Sequence, residues 1–456
     1  MFPLPPLTDE QRAVVERVAA LSRDRFAARA ARYDADSTFP YENYADLHAA
    51  GLHALAVPRE YGGVGADPVT YVHALREIAK GCSATALTFN MHAVILDFIA
   101  QLGTEEQKRR WFGEVIDRGK LFSSITSEPQ ASFRHKFVLS TTFAPVEGGF
   151  LLSGVKHFGS LGEHASFHFV TALIEGTTTA TEGQQSALVP AGSTGISVDR
   201  NWDAVGMRAT SSDTIKYDKC FVRREDCLGG IAALSTIDIT GFALGYSAIY
   251  LGIGEAAFDY VLEYAKSQSF GLPEPLSHHP STQRSLGEMA ISIRAARALL
   301  REAAQVKMQG DRRETALAIN ESKCMSADVG FSVTDRAIQL KTRAYIPGGG
   351  DTDKLNILGT DVSDLVATID HNLQHGAADP FFQRKVMYDN VPIEALQEFR
   401  RLSGAQAQTL LERLDKWLSQ HDRDTHPETT GTGRMRTGIG IYYFEEDMTS
   451  QKSEDS

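Results

Sequence analysis

From Ile239 to Gly254 the chain reads ITGFALGYSAIYLGIG, with no charged side chain between Asp238 and Glu255. Such a run has to leave water. It falls short of the roughly 20 residues that a membrane-crossing helix needs. It is also rich in Gly, Ala and Ser, so its expected place is a helix buried in a bundle. Such a helix must be surrounded by others that offer it apolar faces. With 456 residues, 42% hydrophobic and 23% charged, the chain can build one large multi-layer unit or two to three subdomains.

The hydrophobic period divides the chain into zones. Residues 1–119 read as helical. TDEQRAVVERVAALSRDRF opens with Thr8 and Gln11 in a capping-box arrangement, and GTEEQKRRWFGEVI places acids in a first helical turn. Residues 120–232 switch to short alternating runs, GGFLLSGVKHF, SFHFVTALI, QSALVPAG, GISVDRN and TIKYDKCFV, broken by Gly, Asp and Asn. Residues 233–419 return to helical spacing, and residues 420–456 form a polar tail that reads as flexible. The expected fold is α+β: an N-terminal helical domain, a middle β-barrel or sandwich, and a C-terminal four-helix bundle.

A net charge of −12 argues against nucleic acid or an anionic membrane as partner, since both reward a basic surface. Cys82, Cys220, Cys227 and Cys324 are scattered without a metal-knuckle spacing, which fits reduced cysteines in a cytoplasmic protein and no metal site. The start MFPLPPLTDEQ has neither the basic region nor the apolar core of a signal peptide.

Several ordered motifs then coincide. They are FPYENYADLHAAGLHALAVPREYGGVGAD (Phe39 to Asp67), GTEEQKRRWF, SSITSEPQAS (Ser123 to Ser132), LSGVKHFGS (Leu152 to Ser160) and VGMRATSSDTIKYDKCFVRREDCLG (Val205 to Gly229). In their order and spacing the chain resembles the acyl-CoA dehydrogenase superfamily from about Leu7 to Arg400. The resemblance implies FAD, with contacts from Ser124, Thr126, Ser127, Phe158, Ser160, Phe270 and Gln339. The chemistry of those residues agrees, because a flavin ring needs an aromatic or apolar face and hydrogen-bond donors at its polar edge. Phe158 and Ser160, two apart on a strand, are expected to face the same side.

The family's base is usually a Glu before the last long helix, or in some members a residue of the first long bundle helix. Here the first location falls on HNLQHGAADPFFQR (His371 to Arg384), which holds no Glu. Anchoring on Phe382 to Arg384 sets Ala377 at the base position, with His375 and Asp379 close by. His375 is the residue to which a catalytic role is assigned. The second location falls on Phe242, with Asp238 the nearest acid. Gln268 stands where the family places an Arg.

The resemblance therefore implies an FAD-dependent acyl-CoA or acyl-thioester dehydrogenase, with α-proton abstraction and β-hydride transfer to the flavin. Electrons would pass to an acceptor protein or oxygen. Two alternatives stay open: an oxygen-using monooxygenase or oxidase on the same fold, and a non-catalytic subunit of a hetero-oligomer. A homodimer or homotetramer is expected by the same resemblance.

Overall fold

The computed structural model describes residues 7–128, 139–269 and 273–343. Helices α1 (Asp9–Leu21), α2 (Ala27–Asp36), α3 (Tyr41–Ala49), α4 (Pro68–Gly81), α5 (Ser83–Leu102) and α6 (Glu105–Arg118) come first. Thr8 and Gln11 form the expected capping box, and Thr104 with Gln107 forms a second one at α6. Asp67 caps α4, and Pro68 occupies its first turn, where the missing N–H is harmless. Helix α5 is apolar enough to cross a membrane by length and composition, but 83% of its most apolar window is buried by the other elements. It is the core helix of this zone.

Seven strands follow: β1 (Phe122–Ile125), β2 (Thr142–Val146), β3 (Gly149–Gly159), β4 (Phe167–Ile174), β5 (Gln184–Pro190), β6 (Ile196–Asp199) and β7 (Asp213–Arg223). A four-residue helix, α7 (Ala180–Gly183), precedes β5. They form one sheet in the order β1-β4-β2-β3-β7-β6, with β5 paired to β4. Strands β1 and β2 run parallel to β4, and the other pairs are antiparallel. The sequence reading did not identify β1 as a strand. All four of its residues are buried, so it shows no alternation to recognise.

Helices α8 (Gly241–Ser267), α9 (Pro280–Gln309) and α10 (Arg312–Arg343) complete the described chain. From Gly241 onward the uncharged run falls inside α8, as expected, and α8 lies against α4, α5, α9 and α10. Its glycines let backbones approach closely. A Cβ on Gly252 would stand 2.5 Å from the Arg76 carbonyl oxygen, and one on Gly254 would stand 3.1 Å from Gly330 Cα. The stretches expected to hold the fourth bundle helix and the polar tail from residue 420 lie outside the described residues.

Candidate flavin site

The segment that leaves β1 is fixed from below by a buried ion pair. Lys156 on β3 and Glu128 meet at 2.6 Å, and both side chains are essentially inaccessible to water. The Lys156 ammonium also donates to the carbonyls of Thr171 (2.7 Å) and Thr126 (3.3 Å), which uses all three of its protons. Glu128 accepts from the Ser140 N–H and hydroxyl, both at 2.6 Å, and from the Thr141 N–H at 3.3 Å. Burial pushes the Glu128 carboxyl up, but the Lys156 charge and these hydrogen bonds outweigh it and hold it below the usual carboxylate range.

Thr126 and Ser127 sit directly above this pair. Their carbonyls are taken, that of Thr126 by Lys156 and that of Ser127 by the His157 N–H at 2.9 Å. Among the described residues, their hydroxyls and N–H groups have no partner. Ser127 is exposed and Thr126 half-buried, so this is a short edge of donors open to a ligand. Ser124, by contrast, is buried in β1, paired in register with Phe169.

The expectation that Phe158 and Ser160 share a face is wrong. Phe150, Leu152 and Lys156 alternate inward along β3, but the register with β7 slips between Lys156 and Gly159. Phe158 takes a left-handed backbone (φ 54°), and its ring turns outward, 51% exposed, edge-on to Trp202 at 6.3 Å. Ser160 lies beyond the strand and is buried, its hydroxyl 2.9 Å from that of Ser212. Alternation fails here because a slipped register breaks the period of two.

The same corner collects strain. Phe158, Leu161, Met207 and Ser211 all have positive φ without being glycine, a conformation that costs about 1–2 kcal/mol each. Around them, the Thr210 hydroxyl lies 2.7 Å from that of Ser212, Leu161 N–H donates to Thr210 O at 2.9 Å, and Ser123 donates to Ser160 O. Strain held in place by surrounding bonds is typical of ligand sites. Trp202, Thr210 and Ser212 were missed in the sequence, where three consecutive hydroxyls, Thr210 to Ser212, were the available signal.

The neighbouring helices supply an apolar wall. Phe98 of α5 packs its ring against Phe242 at 5.7 Å and Phe169 at 5.5 Å, and Leu161, Met207 and Ala209 join the core that contains Leu244 and Ala248 of α8. Phe242 thus serves as packing. Asp238 is bound by Lys307 and by the Thr240 N–H at 2.8 Å. Burial opposes its charge, but these bonds hold its carboxyl below the usual value. Gln339 is exposed on α10 and donates to Asp335 at 2.9 Å. Phe270, His375, Ala377 and Asp379 lie outside the described residues.

With this geometry in view, comparison with known proteins is decisive. The family description "Acyl-CoA dehydrogenase, N-terminal domain" matches residues 8–118, "middle domain" 123–220 and "C-terminal domain" 230–344. The chain belongs to the acyl-CoA dehydrogenase superfamily. It is a flavin-dependent oxidoreductase, and FAD is the cofactor typical of that superfamily. The superfamily's C-terminal match ends at residue 344, whereas residues 308–451 match a family of unknown function, DUF6502. The stretch His371 to Arg384, and with it the register used for His375, lies beyond the superfamily match.

Dibenzothiophene monooxygenase of Rhodococcus qingshengii is 27% identical over 320 residues, covering 65% of this chain and 76% of that one. The short-chain-specific acyl-CoA dehydrogenase of Clostridium acetobutylicum is 28% identical over 342 residues, covering 73% and 88%. The fold is similar to butyryl-CoA dehydrogenase from Megasphaera elsdenii (TM-score 0.71, 23% identity, 81% of this chain and 94% of that one). It is also similar to TdsC from Paenibacillus sp. A11-2 in complex with FMN and indole (TM-score 0.69, 21% identity, 80% and 93%).

The residues present fit a flavin. Among the described residues, Thr126 and Ser127 offer unused donors, with their carbonyls engaged by Lys156 and His157, and Phe158 offers an outward aromatic face. An open hollow of about 810 Å³ elsewhere, lined by Lys120, Ser166, Pro190 and Arg200 among others, contains none of these residues.

Proposed function

We propose that this protein oxidises an acyl thioester, with FAD held along the Thr126–Ser127 edge and beside Phe158. The observation that carries this reading is the edge itself: two consecutive residues with carbonyls bound and with donors that have no partner among the described residues. FAD, when bound, accepts the hydride equivalent that leaves the substrate. Thr126 and Ser127 orient its polar edge, and Phe158 covers its ring. The wall of Phe98, Phe242 and their apolar neighbours keeps water out and suits an acyl chain. The α-proton requires a base, and His375 is the residue we hold for it. Gln339 would serve the cofactor of a neighbouring copy in a homo-oligomer.

A second reading, oxygen-using chemistry of the monooxygenase type, is favoured by one observation. At the alternative base location the site has Phe242 packed on Phe98, and the nearest acid, Asp238, is engaged by Lys307 and Thr240. That arrangement suits a reaction with no α-proton to remove.

Anaerobic titration of the purified protein with an acyl-CoA panel separates the two. Bleaching of the oxidised-flavin spectrum by an acyl-CoA is the expected result. Bleaching only by a reductase, followed by rapid reoxidation in air, would replace the first reading by the second. In the first case His375→Ala is expected to slow substrate-driven bleaching by roughly 100-fold or more, as loss of a general base does. An unchanged rate removes His375 from the mechanism.

A further inference from the structure

We propose that Lys156 is a positioning residue for the cofactor: by capturing the Thr126 carbonyl and Glu128 together, it turns the Ser127 N–H toward the flavin, beside the hydroxyls of Thr126 and Ser127. This rests on the flavin placement proposed above and extends it to residues that need not touch the ligand.

The argument is one of where hydrogen bonds go. Glu128 is bonded to residues 140 and 141, which precede β2, and Lys156 is bonded to β4 through Thr171 O. Between them the segment 126–128 is gripped at three successive residues: the Thr126 carbonyl, the Ser127 carbonyl (by the His157 N–H) and the Glu128 carboxylate. Every grip is on an acceptor. In a trans peptide the carbonyl of one residue and the N–H of the next point to opposite sides, so the fixed Thr126 carbonyl turns the Ser127 N–H away from Lys156, and the fixed Ser127 carbonyl does the same for the Glu128 N–H. A neutral residue at position 156 could fill the space, but it could not hold three acceptors, two from the segment 126–128 and one from β4. Lys156 does so with one ammonium, buried among partners that use all of its protons.

The test compares Lys156→Met, Lys156→Arg and the wild-type full-length chain. FAD binding to the apoprotein is followed by quenching of flavin fluorescence, the visible circular dichroism of bound flavin reports its environment, and apoprotein thermal melts report folding. Lys156→Met is expected to weaken FAD binding roughly 10- to 100-fold and to change the visible dichroism, in proportion to the charge-assisted bonds lost. Lys156→Arg keeps the charge but not the compact three-way geometry. It is expected to melt close to wild type while binding FAD several-fold more weakly, which keeps the test open if the methionine variant does not fold. Unchanged FAD affinity and dichroism in a folded variant, with only the melt lowered, would reduce the pair to a structural role and overturn the proposal. Failure of the wild type itself to bind FAD would overturn the flavin placement as well, an outcome separate from the first.

Discussion

Gly252→Ala is expected to destabilise the protein by about 2 kcal/mol, and Gly252→Val by about 3 kcal/mol or more. On helix propensity alone the alanine change should help by about 1 kcal/mol, because glycine in a helix interior surrenders the most backbone entropy. The neighbours reverse the sign. A Cβ at 252 would lie 2.5 Å from the backbone oxygen of Arg76 and 2.8 Å from Ala79 Cβ, both on α4. Backbone cannot rotate aside, so the two helices must separate along the most buried face of α8. Gly287 is the control. It also lies in a helix interior, on α9, but nothing stands within 4 Å of its missing Cβ. Gly287→Ala is expected to raise stability by about 0.5–1 kcal/mol. Urea midpoints at constant slope check both, and a gain at Gly252 would show that α4 and α8 are not so closely packed.

Acidification is expected to remove several kcal/mol between pH 6.5 and pH 4. Burial pushes the imidazoles of His53 and His168 down to about 4, from an ordinary 6.5. Both are fully enclosed: His53 is bonded to the Lys120 carbonyl at 3.0 Å, and His168 is 3.0 Å from the Tyr217 hydroxyl. The unfolded chain therefore takes up their protons first as the pH falls. Their contribution is complete above 6.5, declines through the window and levels off below 4, on the order of 3 kcal/mol for each. Burial also forces His92 well below its ordinary value, which adds to the effect in the same direction. Asp97 opposes it, because burial raises its carboxyl and favours the folded state as protons are added. Glu128, held below the ordinary 4.5, begins to give up its share at the acid end of this window and loses the rest below it. Urea titrations at about pH 7.5, 5.5 and 4.5 should show the midpoint falling with a steady slope. His53→Gln should flatten the fall by roughly a third to a half, and a midpoint independent of pH would contradict the buried neutral imidazoles.

Much of the architecture could be read locally. The capping boxes at Thr8 and Thr104 depend on residues three apart, and the helical and strand zones depend on periods of a few residues, so the sequence carries them directly. From Gly241 to Gly254 the uncharged run determined its own burial as a helix, because a long apolar stretch is driven out of water. The order of the motifs, from Phe39 to Gly229, was enough to indicate the superfamily and its flavin.

Tertiary structure decided the rest. Glu128 and Lys156 are far apart in the chain, and only the pairing of β3 with its neighbours brings them to 2.6 Å. Phe158 was expected to share a face with Ser160, and a slipped register sent them to opposite environments. The sign of a glycine substitution in α8 depends on an oxygen of α4 that no pattern within α8 can reveal. Period and capping are properties of neighbours along the chain. Donor direction, ion pairing and close approach are properties of neighbours in space, and those set the site.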